Sequence, residues 1–224
     1  MTTSPDKASK FSLADKALYF VTDHNLTAGR PQLDVIAAAL EGGVRLVQYR
    51  DKDLPEAGFA REAKAALDLC RKHGATLLIN DRVSIAQAIG ADGVHLGQGD
   101  MAPEEARRLL GPDAVIGLST HNREEVRAAE NRPVDYINIG PMFPTATKDH
   151  SLYAALGSDR VLELSRLSRH PFTTMGGIKL AHLKDLFARG VRTVAMVTEI
   201  SLAPDPAART RELLAEIAAA RIEA

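Results

Sequence analysis

TLLINDRVSIAQAIGADGVHLGQGD, residues 76–100, holds two short apolar runs, each ending in polar residues. Thr76 to Ile79 runs into Asn80 and Asp81. Gly93 to Leu96 runs into Gly97, Gln98, Gly99 and Asp100, nineteen positions beyond Asp81. Between them Val83 to Ile89 carries a helical pattern. If both runs are parallel strands of one sheet, both carboxylates leave at the same edge. Two bare carboxylates ~4 Å apart repel by about 4 kcal/mol at an effective dielectric of 20. Such a pair calls for a cation or a shared proton. Magnesium, which takes one or two carboxylates with waters and substrate phosphates, suits it. Two solvated loop aspartates, or helix caps, are the plain alternative.

The same alternation extends in both directions. Candidate strands are Leu18–Thr22, Leu46–Arg50, Thr76–Asn80, Gly93–Leu96, Val115–Leu118, Tyr136–Gly140, Phe172–Met175 and Thr193–Val197. Helical patterns start near Pro31, Pro55, Val83, Pro103, Arg123, Ser158, Leu180 and Asp205. Pro31, Pro55 and Pro103 suit a first helical turn, and Asn122 with Glu125 makes a capping box. Units repeating roughly every 25 residues imply parallel strands with right-handed crossovers. Eight such units close into a (β/α)8 TIM barrel, an α/β fold with its chemistry on the strand-end loops. A doubly wound sheet is the alternative, but no G-x-G-x-x-G follows the first strand.

Bulk composition narrows the field. Lys plus Arg (28) balances Asp plus Glu (29), so no overall field favours nucleic acid or an anionic membrane. The lone Cys70 forms no internal disulfide, which fits a reducing compartment. Residues 1–16 are polar and mixed in charge; we read them as a flexible leader before a single catalytic barrel over 17–224. No apolar run approaches the ~18 residues of a membrane span. A cytoplasmic location is expected, with small-molecule partners; assembly into a homo-oligomer stays open.

Polar residues at the C-terminal ends of barrel strands are the functional candidates. Gln48, Arg50 and Lys52 stand at i, i+2 and i+4, so an extended strand aims all three to one face while Val47 and Tyr49 face the helices. Buried cations on a barrel strand need an anion. Phe143 to Lys148 offers Thr145, Thr147 and Lys148 on a loop stiffened by Pro144. Arg50 can fork two hydrogen bonds onto a phosphate, and Lys148 adds a point charge. Gly176 and Gly177 precede a helix start at Lys179, where backbone N–H groups form a phosphate site. Two phosphate-holding regions on one rim imply two phosphorylated substrates. His95 reads as a packing or orienting residue, and no Ser-His-Asp set or G-x-S-x-G elbow is present.

VQYRDK (47–52), LINDR (78–82), ADGVHLGQGD (91–100), IGLST (116–120), GPMFPTATK (140–148) and MGGI (175–178) together closely resemble the thiamine phosphate synthase (thiamine-phosphate pyrophosphorylase) family. The resemblance runs from about Leu18 to Ser201. It implies condensation of 4-amino-2-methyl-5-hydroxymethylpyrimidine diphosphate with a thiazole phosphate, releasing pyrophosphate by a magnesium-assisted dissociative route. Gln48, Arg50, Lys52, Asn80, Ser119 and Lys148 would hold the pyrimidine diphosphate, with Arg50, Lys52, Ser119 and Lys148 as its catalytic members. Asp81 and Asp100 would ligate Mg2+. Thr145, Thr147, Gly176, Gly177, Val197 and Thr198 would receive the thiazole phosphate. Such chemistry needs charges placed around a leaving group and no protein nucleophile.

Four places depart from the family pattern: Thr198 replaces a usual serine, Thr174-Met175 precedes the glycines, Asn138 interrupts strand 6, and Asp149 to Gly157 lacks the usual Pro-apolar-Gly run. All lie towards the thiazole side. The alternatives are a thiazole tautomerase-like relative, which needs neither diphosphate nor magnesium, and a non-catalytic regulator that binds thiamine precursors.

Overall fold

Strands of three to six residues alternate with helices throughout the computed structural model, which describes residues 11–145 and 154–222. The strands are β1 (Leu18–Val21), β2 (Leu46–Tyr49), β3 (Thr76–Asn80), β4 (Gly93–Leu96), β5 (Val115–Thr120), β6 (Tyr136–Ile139), β7 (Phe172–Thr174) and β8 (Val194–Met196). The helices between the strands are α1 (Gln32–Glu41), α2 (Glu56–Lys72), α3 (Val83–Ile89), α4 (Pro103–Leu110), α5 (Arg123–Ala129), α6 (Ser158–Ser165) and α7 (Leu183–Ala188). After β8 come α8 (Thr198–Ser201) and α9 (Pro206–Ile222). All strands pair in parallel and in sequence order, and β8 returns to β1 through Leu18↔Val194 and Phe20↔Met196. The result is the expected (β/α)8 barrel, not a doubly wound sheet.

Every residue of β1, β2, β4, β5, β6 and β8 is buried, as strands with helices on one face and a filled interior on the other must be. The two faces alternate along β2. Val47 and Tyr49 pack outward, Tyr49 edge-on to Phe59 of α2 with ring centroids 4.9 Å apart. Leu46 points inward to a second cluster with Tyr19, Leu78 and Tyr136. Gln48 therefore shares the interior with Leu46, which the period-2 reading requires.

Local signals acted largely as the sequence implies. Asn122 Oδ1 accepts from the Glu125 amide at 2.9 Å, capping α5. Glu125 reaches back one residue further than a standard capping box, to the His121 amide and ring at 2.8 Å each. Buried in α2, Cys70 has its thiol pushed up to about 12 by desolvation and then by Asp92, which removes it as a nucleophile.

Two expectations change. The leader read as residues 1–16 does not extend to residue 16: Leu13–Asp15 forms a 3-10 turn with Leu13 buried. Thr193 Oγ1 donates to Leu13 O at 3.1 Å, and Phe11 lies 6.3 Å from the Tyr136 ring. Leu13 thus joins the interior cluster and closes the N-terminal mouth of the barrel. The helix expected at Lys179 is only a 3-10 turn, Leu180–His182, that leads into α7. No helix among the described residues is long and apolar enough to cross a membrane.

Candidate active site

A hydrogen-bonded chain crosses the barrel interior beneath the C-terminal rim. Gln48 Nε2 donates to Tyr19 OH at 2.6 Å, and Tyr19 OH meets Tyr136 OH at 3.1 Å. Tyr136 OH lies 2.9 Å from His95 Nδ1, and His95 Nε2 lies 2.9 Å from Ser119 Oγ. Burial raises both phenols, so each keeps its proton. Donor counting then fixes the direction. The amide nitrogen can only donate, so Tyr19 passes its proton to Tyr136, and Tyr136 to His95 Nδ1. His95 therefore carries its proton on Nε2 and donates to Ser119, leaving the Ser119 hydroxyl proton to face another acceptor. The orienting role expected of His95 is thus located. Gly117 makes the chain feasible, since a Cβ there would stand 2.4 Å from Tyr136 OH and 2.6 Å from His95 Nδ1.

Above the chain, charges gather where β1 to β4 end. Arg50 ion-pairs with Asp23, and both side chains are largely buried. Arg50 Nε is buried without a hydrogen-bond partner among the described residues, so the guanidinium retains a donor for an anion. Gln32 and Thr22 lock the Arg50 backbone: Gln32 Nε2 donates to Arg50 O at 2.9 Å and the Arg50 amide to Thr22 Oγ1 at 2.9 Å. Lys52 pairs with Asp81, and Asn80 Nδ2 donates to the same Asp81 oxygen at 2.7 Å. Asp81 sits at φ +60, a backbone region that few non-glycine residues occupy.

Asp81 and Asp100 come together as the spacing implies. The two carboxylates lie close enough to act on each other's ionisation. Burial pushes Asp81 up, but Asp100 and Lys52 together outweigh it and hold Asp81 below the usual range. Burial and then Asp81 itself push Asp100 upward, while the Gly97 amide donates to Asp100 Oδ2 at 2.7 Å. A cation with open coordination positions could be held between them. Among the described residues no cluster of three or more His, Cys, Asp or Glu forms a complete metal cage. Two carboxylates are nevertheless enough for magnesium, which draws its other ligands from water and phosphate.

Next to this cluster a cavity of about 290 Å³ opens on the rim. Gln48 and Arg50 line one wall, Asn138 and His121 the wall across from them, and Thr145, Gly176, Gly177, Val197 and Thr198 the rest. Lys52, Asn80, Asp81 and Asp100 stand beside it on the β2–β4 side rather than in its wall. Gly177, at φ +61, has no room for a side chain: a Cβ would fall 2.4 Å from Pro144 O. The amides of Lys179 and Leu180 are already taken, by His182 Nδ1 at 3.0 Å and Glu199 Oε2 at 3.3 Å. These two amides are therefore closed to a phosphate. Glu199 also pairs with Lys179 and Arg209, tying the loop after β7 to α8 and α9. Thr147 and Lys148 lie outside the described residues. Sequence reasoning gave no role to Asp23, Tyr19 or Tyr136; Asp23, directly after β1, was visible only as a strand-end carboxylate.

Residues 18–200, from β1 into α8, match the family model described as thiamine monophosphate synthase. The chain belongs to the thiamine monophosphate synthase family. It is 42% identical over 204 residues to the thiamine-phosphate synthase of Azorhizobium caulinodans, covering 90% of this chain and 96% of that protein. With the thiamine-phosphate synthase of Solidesulfovibrio magneticus it shares 44% over 199 residues, covering 89% and 94%. A solved thiamine phosphate pyrophosphorylase from Pyrococcus furiosus superposes with a TM-score of 0.84 at 30% identity, covering 93% of this chain and 99% of that one. Membership in the family makes the chain an enzyme, a transferase.

Proposed function

We propose that the chain joins 4-amino-2-methyl-5-hydroxymethylpyrimidine diphosphate to 4-methyl-5-(2-phosphoethyl)thiazole, giving thiamine phosphate and pyrophosphate. The observation that carries this reading is the pairing, on one rim, of a charged cluster with a cavity. Arg50, Lys52, Asn80, Asp81 and Asp100 gather on the β2–β4 side, and Gly176, Gly177 and Thr198 close the cavity on the β7–β8 side. A diphosphate on the first side and a thiazole phosphate on the second would bring the pyrimidine methylene between them.

In the first step the methylene C–O bond breaks and its electron pair leaves with pyrophosphate. The thiazole nitrogen then donates a pair to the methylene carbon, forming the new C–N bond. Arg50 and Lys52 meet the negative charge that grows on the leaving group. The unpartnered Arg50 Nε supplies one such donor, and the outward proton of Ser119 another. Gln48 and Asn80 orient the substrate so that carbon and nitrogen meet in line. Asp81 and Asp100 would hold Mg2+, which neutralises charge on the departing diphosphate when bound. Lys148 and Thr147 join the ligand set by motif.

Purified protein mixed with both substrates and Mg2+ should release one pyrophosphate per thiamine phosphate formed. Thiazole isomerisation without pyrophosphate would favour the tautomerase-like reading. Tight binding of either precursor with no turnover would favour the regulator.

A further inference from the structure

Asn138, in the middle of β6, is 3% exposed, and its side chain lines the cavity. Its Oδ1 is buried with no hydrogen-bond partner among the described residues. A buried acceptor left in this state destabilises a fold unless something outside the chain completes it.

The protein's neighbouring donors are committed elsewhere. Ser119, the register partner on β5, accepts from His95 and makes no hydrogen bond to Oδ1. Thr173, the partner on β7, gives its hydroxyl to Thr193 O at 3.2 Å. Thr120 donates to Asn138's own backbone carbonyl at 3.0 Å, and Thr174 donates to Ile139 O at 2.7 Å. Below, the Tyr136 hydroxyl belongs to the buried chain. Among the described residues no donor is left for Oδ1, and the cavity that Asn138 lines is where one can enter.

The surroundings define what that donor is attached to. Alternate strands of a barrel contribute side chains to one layer. Here β2, β4, β6 and β8 place Gln48, His95, Asn138 and Ala195 on the cavity wall. Gln48 lies four strands from Asn138, on the opposite wall, with its Nε2 given to Tyr19. Ala195 leaves space. Such a floor suits a flat ring with polar atoms on its edges. Carboxamides read the edge formed by an amino group beside a ring nitrogen, as they do in adenine, and an aminopyrimidine presents that edge.

We propose that Asn138 is a specificity-determining residue that accepts a hydrogen bond through Oδ1 from the exocyclic amine of the aminopyrimidine substrate. The inference rests on the synthase reading for the identity of the ring. It assigns a function to a side chain that otherwise stands as a departure from the family pattern.

Calorimetric titration of the full chain in Mg2+ tests it, using the aminopyrimidine diphosphate and an analogue with hydrogen in place of the amine. The parent protein should prefer the amine by roughly 10- to 100-fold, because the analogue leaves the buried acceptor unpaired. Asn138→Leu should reduce that preference to within about 3-fold while matching or exceeding the parent Tm, since it removes the orphan acceptor. Asn138→Ala serves the same purpose if leucine overpacks the cavity. Equal binding of both compounds by the parent, or a preference retained in the folded variants, overturns the assignment. Pyrophosphate release measured in parallel separates the two claims. Release with an unchanged preference sinks the Asn138 role alone, whereas an Asn138-dependent preference without release sinks the synthase reading and leaves amine recognition standing.

Discussion

At the N-terminal end of the barrel, one oxygen of Asp135 accepts from the Ile116 amide at 2.7 Å and from Arg107 at 2.8 Å. Asp92 likewise takes the Leu77 amide at 2.7 Å, so both carboxylates pin the start of a strand. At the C-terminal end Asp81 and Asp100 act on each other's ionisation, and Asp81 occupies a left-handed backbone position. One end uses carboxylates to complete backbone hydrogen bonding. The other sets them against each other beside Lys52, a state that costs stability and is retained where chemistry needs it. The difference separates residues that maintain the barrel from residues that act on a ligand.

Asp81→Asn should show the largest effect. Asparagine keeps the shape and tolerates the left-handed backbone, so Tm should not fall. Losing a charge that anchors the leaving-group site should lower kcat by about 100- to 1000-fold. Pyrophosphate release and thermal unfolding on the same sample check both halves. Unfolding of the variant would make Asp81 a structural residue and erase the distinction between the two ends.

Asp135→Ala is the converse. It strands the Ile116 amide and removes the counter-charge of Arg107, which should cost about 1–3 kcal/mol in denaturant unfolding. The kcat of the folded fraction should match the parent. A loss of kcat at unchanged stability would put functional residues at both ends.

Tyr136→Phe interrupts the buried chain halfway between Gln48 and Ser119. His95 then loses the partner that fixes its tautomer, and the outward proton of Ser119 is no longer enforced. We expect roughly a tenfold fall in kcat/KM, the scale of a partner that orients a ligand without touching the substrate. The readout specific to positioning is the His95 ring ¹⁵N shift pair, which should move from the Nε2–H pattern towards a mixture. An unchanged tautomer would show that packing alone sets His95.

How much of this was legible beforehand depends on the range of each contact. The period-2 spacing of Gln48, Arg50 and Lys52 is local, so it put them on one face. The nineteen positions from Asp81 to Asp100 run through α3 and β4, one repeat of the barrel, so parallel pairing of β3 with β4 brings them to one rim. Asp23 became Arg50's partner only when β1 and β2 aligned. The Tyr19 and Tyr136 hydroxyls meet across 117 residues, and an aromatic residue in an apolar run reads as core until closure shows what its oxygen touches. Leu13 and Phe11 are isolated apolar residues in a mostly polar stretch, with no periodicity to reveal the burial of Leu13. The glycines after β7 pointed to a helix start at Lys179, but the structure has only a 3-10 turn there, with the Lys179 and Leu180 amides taken by His182 and Glu199.

Glu130, just past α5, refines the contrast at the N-terminal end because it is paired there but in contact with water. Its Oε1 accepts from Arg169 Nε at 2.6 Å, and its Oε2 from Ser168 Oγ at 2.7 Å and the Arg169 amide at 2.9 Å. The Arg169 side chain first, then Ser168 and the Arg169 amide, hold the carboxyl at about 2 instead of 4.5. A folded-state pKa below the unfolded one means the group stabilises the fold fully above about 4.5 and loses that contribution as pH falls towards 2. Arg169 is 88% exposed, so solvent and salt screen the pair strongly. Glu130→Gln should therefore lower Tm by no more than a few degrees at pH 7, with the gap closing by pH 2 and shrinking in 1 M salt. A gap that survives acid and salt would mean that accepting the Ser168 and Arg169 hydrogen bonds matters more than the charge. Glu130 would then belong with Asp135, as an acceptor that completes the fold rather than an exposed ion pair.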